Sequence, residues 1–134
     1  MKKIFMSEPN LIGNEQTYLN ECIRSNFVSS HGKFLKKFEK KISLFSGSKG
    51  CVLTSSGSAA LHLALLALDV KKNDIVIAPS FTFAATINAI SLVGAQPWLF
   101  DISLKDWNLD IEKLEKELEN KMRIDKRGNP ILKN

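Results

Sequence analysis

The spacing of hydrophobic and polar positions changes part-way along the chain, and each spacing predicts a different kind of structure. In the first part, residues 14–25 place apolar side chains, Tyr18 and Cys22 among them, near one side of a helix. Residues 33–45 then place phenylalanine, leucine and isoleucine on one stripe with lysines elsewhere, and Gly47 follows directly. These patterns predict two amphipathic helices, of which the second has a strong core face.

Beyond residue 49, short apolar runs alternate with helical stretches. This alternation predicts three strand–helix units, with strands at 51–54, 75–78 and 98–100 and helices at 58–68, 84–93 and 111–119. Asp110 is expected to cap the last helix. Three such units in succession predict a parallel, doubly wound α/β sheet preceded by two helices.

The domain organisation follows from these elements. We expect one domain of 134 residues, with a helical arm at 1–48, an α/β core at 49–120 and a tail at 121–134. The tail is polar and turn-rich, and three strands leave a sheet edge with no following partner, so the fold is expected to be interrupted there. The helix that starts near residue 58 is apolar on nearly every side, which suits a helix sandwiched between a sheet and another layer.

Composition places the chain among soluble globular proteins, since 44% of its residues are hydrophobic and 25% are charged. Its net charge of +5 comes from lysines mixed with acids, which argues against nucleic-acid binding. Glu8 and Pro9 interrupt the start of the chain, and the apolar run 59–70 is too short to cross a bilayer. We therefore expect a cytoplasmic protein without a membrane segment.

Cysteines and histidines do not form a metal-binding pattern. Cys22 and Cys51 share no CxxC spacing, and only His31 and His62 accompany them, so no metal site is predicted and both thiols are expected to be reduced. His62 lies inside an apolar helix and is expected to be a hydrogen-bonded core residue, whereas His31 stands in a loop. No serine, histidine and acid form a nucleophilic triad.

The junction between the first predicted strand and its helix has the features of an anion site. In residues 54–60, Gly57 allows a tight turn and a close backbone approach, and Ser56 and Ser58 add hydroxyl donors near free N–H groups. The same residues also suit an ordinary helix cap, which is the reading that this stretch alone favours. The stretch lacks the lysine of a P-loop. It also lacks the glycine pattern that lets a dinucleotide pyrophosphate approach, which disfavours a nicotinamide-dependent enzyme.

The loop after the next strand, residues 79–86, is expected to open on the same crevice, because ligands of such sheets bind at the carboxyl ends of strands. It carries Phe81 and Phe83, and each is either a core residue or a ring that lies flat on an aromatic cofactor. Asp101 ends the third predicted strand and is either a functional carboxylate or, more commonly, a residue that caps the following loop.

Three stretches together resemble the DegT/StrS sugar aminotransferases in order and spacing. They are residues 32–39 (GKFLKKFE), 54–65 (TSSGSAALHLAL) and 74–90 (DIVIAPSFTFAATINAI). The pattern continues through 94–97 and 100–102, and the resemblance extends from about the first helix to Leu118. It is much more specific than any one of its pieces.

The resemblance implies the first part of a fold-type I aminotransferase large domain, which binds pyridoxal 5′-phosphate (PLP). Such enzymes move an amino group, usually from glutamate, onto a keto group of a nucleotide-linked sugar and work as homodimers. By this resemblance Gly57, Ser58 and Ala59 hold the cofactor phosphate, and Ser58 replaces the family's usual threonine while keeping the hydroxyl. Phe83 matches the residue that stacks on the pyridine ring.

The loop of Ser30, His31 and Gly32 would then lie on the substrate side. The family's acidic partner of the pyridine nitrogen and its Schiff-base lysine match no position of this sequence, so no catalytic residue is assigned. We expect a fragment of an aminotransferase for bacterial surface glycans that is inactive alone. The alternative is a non-catalytic binding module completed by a second polypeptide.

Overall fold

The chain folds into two compact units, residues 1–53 and 54–134. A computed structural model describes residues 3–128 and 130–133. The described residues form five helices and four strands, and the parallel strands with their crossover helix confirm the predicted α/β class. None of the described helices is both long and apolar enough to span a membrane.

The first unit contains the two predicted amphipathic helices, α1 (Glu15–Arg24) and α2 (Lys33–Ser46). Asn26 follows α1 with a φ of 57°, a conformation that asparagine tolerates better than most residues. Gly47 ends α2 with a φ of 67° and donates its N–H to Leu44 O, an ending in which glycine avoids the strain of a Cβ. Both predicted helices are confirmed to within two residues at their ends.

Contacts between α1 and α2 come from aromatic and charged side chains rather than from a buried core. The rings of Tyr18 and Phe34 lie 4.9 Å apart at an angle of 40°. Lys33 pairs with Glu21 across the two helices. No residue of either helix is fully buried, and Phe45 is 92% exposed, so the apolar stripe of α2 is only partly covered within this unit.

The strand predicted at 51–54 is wrong, because this segment pairs with no strand among the described residues. Its one backbone contact of note is the N–H of Leu53, which donates to Glu39 Oε1 at 3.4 Å. An apolar run indicates that a segment prefers to be extended and covered, but strand formation also needs a hydrogen-bonding neighbour. Val52 is 73% exposed, so that covering is incomplete as well.

The second unit is built around a strand–helix–strand crossover. Strand β1 (Ile75–Pro79) runs parallel to β2 (Gln96–Phe100), and helix α4 (Ala84–Leu92) connects them. Pro79 is the register partner of Phe100, so both strands end at the same edge. The second and third predicted strand–helix units are thus present, with β2 two residues longer than predicted.

A small apolar core lies where α4 packs on this sheet. Ala78, Ile90 and Ala95 are buried, and partly buried Leu65 brings helix α3 (Gly57–Ala67) against them. The other leucines of α3, and the leucine that directly follows it, do not fit the sandwiched helix that was expected. They are exposed by 41–76%, namely Leu61, Leu63 and Leu66 in the helix and Leu68 after it.

The end of the chain adds a helix and a hairpin. Helix α5 (Ile111–Lys121) begins at Asp110, whose carboxylate accepts the N–H of Lys113 at 3.1 Å, as predicted. Strands β3 (Met122–Ile124) and β4 (Pro130–Leu132) then pair antiparallel. The tail, expected to be polar and turn-rich, therefore contains a short hairpin that was not predicted from the sequence.

Candidate cofactor-binding site

The first turn of α3 is organised by a serine cap. Ser56 stands in an extended conformation, and its Oγ accepts the N–H of Ala59 at 3.2 Å. Its carbonyl accepts the N–H of Ala60 at 3.0 Å and the hydroxyl of Thr54 at 2.9 Å. The cap reading that the sequence favoured for this stretch is therefore present in the structure.

This cap leaves a defined set of donors unused. In the part of the chain that the structure describes, no acceptor meets the N–H groups of Gly57 and Ser58 or the hydroxyl of Ser58. All three donors belong to exposed residues at the positive end of the helix dipole. Such an arrangement binds a phosphate dianion well, because it combines directed hydrogen bonds with favourable charge.

Ala59 differs from its two neighbours, since its N–H already has an acceptor in Ser56 Oγ. A phosphate would share that donor with Ser56 or displace the cap. Of the two roles expected for Gly57, the tight turn does not require a glycine, because the Gly57 backbone is not left-handed and a Cβ there would meet nothing within 4 Å. A glycine at this place therefore offers close access to a ligand, not freedom to turn.

The loop after β1 distinguishes its two phenylalanines, which periodicity alone left undecided. The ring of Phe81 lies 5.3 Å from that of Trp107 in an edge-on arrangement at 61°. Phe83 precedes α4 and is 83% exposed, and its ring meets no other aromatic ring among the described residues. Phe83 is thus the ring of this loop that is open to a planar ligand.

Asp101 follows β2 and serves the local fold. Its Oδ2 accepts a hydrogen bond from Lys113 Nζ at 3.0 Å, and its Oδ1 accepts the N–H of Ile102 at 2.9 Å. The hydrogen bond from Lys113, then that from Ile102, lowers the pKa of the Asp101 carboxyl. The carboxylate is held to the start of α5 and the strand end, as expected of a structural residue.

The predicted substrate-side loop belongs to the first unit. Ser29 Oγ accepts the N–H of His31 at 3.2 Å, and Ser30 Oγ lies 3.4 Å from His31 Nδ1. Gly32 directly precedes α2 in an extended conformation. The loop borders a pocket of about 690 Å³ whose remaining walls are mainly apolar, namely Leu19, Cys22, Phe27, Val28, Phe34 and Leu35.

The histidine inside α3 was expected to be hydrogen-bonded in the core. His62 is half-buried, but its ring has no hydrogen-bond partner among the described residues. The predicted hydrogen bond of His62 is therefore wrong. Cys22 and Cys51 are free thiols. No group of three or more potential metal ligands occurs in the described ranges.

Residues 9–124 match the DegT/DnrJ/EryC1/StrS aminotransferase family. The chain belongs to this family. Its relatives include the GDP-perosamine synthase of Escherichia coli O157:H7, which is 39% identical over 121 residues, or 90% of this chain and 33% of that protein. The spore coat polysaccharide biosynthesis protein SpsC of Bacillus subtilis is 39% identical over 106 residues, or 78% of this chain and 27% of SpsC.

A solved structure has a similar fold in the matched region. It is a sugar aminotransferase candidate from Streptococcus pneumoniae in its PLP form, with a TM-score of 0.75 and 31% identity. The match covers 86% of this chain and 29% of that one. The chain therefore spans about a third of the length of the relatives it matches.

Proposed function

We propose that this chain is the first part of the PLP-binding large domain of a nucleotide-sugar aminotransferase. The complete enzyme would transfer an amino group from glutamate to a keto group of a nucleotide-linked sugar, for bacterial surface glycans. The observation that carries the proposal is the set of unused donors at Gly57 and Ser58, in a chain that belongs to this family. The names of two relatives, GDP-perosamine synthase and the spore coat polysaccharide biosynthesis protein SpsC, support a sugar substrate and a role in glycan synthesis.

Each predicted site residue has a task in this proposal. The N–H groups of Gly57 and Ser58 and the hydroxyl of Ser58 bind the cofactor phosphate. The N–H of Ala59 also donates to the phosphate once its hydrogen bond to Ser56 Oγ is broken. Phe83 covers one face of the pyridine ring. PLP, when bound, supplies the electron sink that amino transfer needs. Ser30, His31 and Gly32 contact the substrate.

We also propose that these 134 residues do not catalyse amino transfer without further polypeptide. No lysine of the sequence stands in the family's cofactor-anchoring motif, so the chain alone binds PLP reversibly and transfers no amino group. The lysine is supplied by polypeptide outside these residues. We further propose that the complete enzyme is a cytoplasmic homodimer that binds neither nucleic acid nor membranes, and the free thiols of Cys22 and Cys51 agree with a reducing compartment.

A second candidate is a non-catalytic module that another polypeptide completes. The observation in its favour is the exposed apolar surface at the end of α3, where Leu66 is 53% exposed and Leu68, which directly follows the helix, is 76% exposed. An apolar surface of this kind is typical of a face that meets another protein surface. Under this candidate the partner, and not the present chain, would hold the chemistry.

Equilibrium dialysis with PLP, followed by incubation with glutamate and borohydride reduction, tests the proposal. We expect saturable binding that inorganic phosphate reverses, without amino transfer and without labelling of one preferred lysine. Absence of PLP binding would contradict the cofactor role. Amino transfer together with labelling at a single lysine would contradict the claim that the chain is inactive alone.

A further inference from the structure

Trp107 has an unusual backbone conformation for a bulky aromatic residue. Its φ is 62°, in the left-handed region that side chains larger than glycine or asparagine rarely adopt. Residues held in such conformations persist only where their surroundings determine the structure, and they cluster at ligand sites. The contacts that hold Trp107 in this conformation are therefore a guide to the role of its indole ring.

The turn around Trp107 is fixed by several hydrogen bonds. The N–H of Trp107 donates to Ser103 O at 2.9 Å, and the N–H of Ser103 donates to Asn108 O at 2.8 Å. The N–H of Asn108 donates to Asp106 Oδ1 at 3.2 Å. A bridge between Ile102 and Leu109 closes the base of the turn. The backbone thus holds the indole at a fixed place beside the ring of Phe81.

Burial does not explain that placement, because the indole of Trp107 is 60% exposed. The aromatic neighbour of this indole is Phe81, which is itself 64% exposed. Two large apolar rings that meet at the surface gain little from the removal of water compared with rings in a core. The contact is better explained by its effect on the loop that carries Phe81.

That loop is anchored at each position before Phe83. The N–H of Ser80 donates to Phe100 O at 2.7 Å, which ties the loop to the end of β2. The Phe81 ring is held by Trp107, and Thr82 Oγ1 lies 3.0 Å from Thr86 Oγ1 in the first turn of α4. Phe83 follows these three anchors with its ring exposed.

We propose that Trp107 is a positioning residue for the cofactor ring. By holding Phe81, its indole fixes the loop from which Phe83 stacks on the pyridine ring of PLP. This inference rests on the proposed function, since it presumes that PLP binds here. It goes further by assigning a task to a residue outside the predicted cofactor-binding set of Gly57, Ser58, Ala59 and Phe83.

The test compares Trp107→Gly with Trp107→Phe in the 134-residue chain. Glycine accepts a positive φ, so Trp107→Gly removes the ring while relieving backbone strain, and we expect its melting temperature to equal or exceed that of the wild type. Trp107→Phe keeps an aromatic ring beside Phe81. The control is Trp98→Phe, since the Trp98 ring contacts Phe100 at 4.7 Å and not the loop.

The readout is the Kd for PLP set against the Kd for inorganic phosphate, which has no ring to stack. For Trp107→Gly we expect the PLP Kd to rise about three- to tenfold, as for loss of one aromatic contact, with the phosphate Kd unchanged. Trp107→Phe and Trp98→Phe should both stay within about twofold of the wild type.

Phe81→Leu provides a second route, independent of the backbone at residue 107. It should raise the PLP Kd by as much as Trp107→Gly, and the double variant should be no weaker than either single one. An unchanged PLP Kd in Trp107→Gly, a parallel rise of both Kd values, or additive effects in the double variant would each overturn the inference. Lack of PLP binding by the wild type would instead overturn the proposed function, and this inference with it.

Discussion

Neighbouring residues at the start of α3 differ in whether their backbone N–H groups already have an acceptor. The N–H groups of Gly57 and Ser58 are unused among the described residues, whereas Ser56 Oγ already accepts that of Ala59. Ser58 also adds a hydroxyl, which makes it the residue with two donors for one phosphate. Its side chain is therefore the natural target for a substitution.

Replacing Ser58 with alanine should weaken the binding of PLP and inorganic phosphate by similar factors, about ten- to a hundredfold, because one hydrogen bond to a charged group is lost. Ser58→Thr keeps the hydroxyl and serves as the matched control, with a Kd near that of the wild type. Equilibrium dialysis measures both ligands. Equal Kd values for Ser58→Ala and Ser58→Thr would show that the hydroxyl takes no part.

The pair of Asp101 and Lys113 makes a prediction about pH. The hydrogen bond with Lys113 lowers the Asp101 pKa, and that with Asp101 raises the Lys113 pKa. A lowered carboxyl pKa stabilises the fold at neutral pH, and this contribution is lost as the pH falls through the folded-state pKa. A raised lysine pKa stabilises the fold at pH values below the unfolded-state pKa of that lysine. This contribution is lost as the pH rises through the folded-state pKa.

Lys113→Met should therefore move the Asp101 pKa upward toward its ordinary value of 3.8, although the N–H of Ile102 still holds it below that value. Carbon-detected NMR titration of the carboxyl measures the change. Lys116→Met is the control, because Lys116 lies on the same helix but pairs with no acid among the described residues. The prediction fails if both variants leave the Asp101 titration unaltered.

Residue-scale features were predicted from sequence only in part. The cap of Asp110 was foreseeable because a short acceptor preceded an amphipathic run. The different surroundings of Phe81 and Phe83 were not, because they depend on Trp107, which lies in a turn more than twenty residues further along the chain. A pattern of apolar residues contains no information on such a pairing.

At the scale of elements, the glycine that ends α2 leads to a prediction about stability. Gly47 ends α2 with a φ of 67°, so Gly47→Ala should lower the free energy of unfolding by about 1 kcal/mol. Gly50→Ala is the matched control, since its φ is not left-handed and a Cβ there meets nothing within 4 Å. Urea unfolding followed by circular dichroism compares them. Equal losses would contradict the assigned role of Gly47.

The five helices of the described residues were predicted to within two residues at each end, because amphipathic spacing, capping residues and glycine act locally. Strands were harder. The apolar run 51–54 has strand-like composition but no pairing partner among the described residues, and only the tertiary fold determines pairing. The hairpin of β3 and β4 was missed because its strands have three residues each and include a charged residue and a proline.

At the scale of the whole molecule, the chain combines a family fold with large exposed apolar surfaces. Only a few side chains are buried among the described residues, and large apolar ones remain exposed in both units, from Phe45 in α2 to Leu68 after α3. The chain spans about a third of its relatives' length. Under the proposed function, other polypeptide of the complete enzyme would cover such surfaces.

The central claim is that the start of α3 holds the phosphate of PLP. An amide proton–nitrogen NMR titration of the 134-residue chain with PLP tests it most directly. We predict that the largest saturable shifts occur at the amides of Gly57 and Ser58 and that excess inorganic phosphate reverses them. Saturable shifts confined to other parts of the chain, with Gly57 and Ser58 unmoved, would contradict the account.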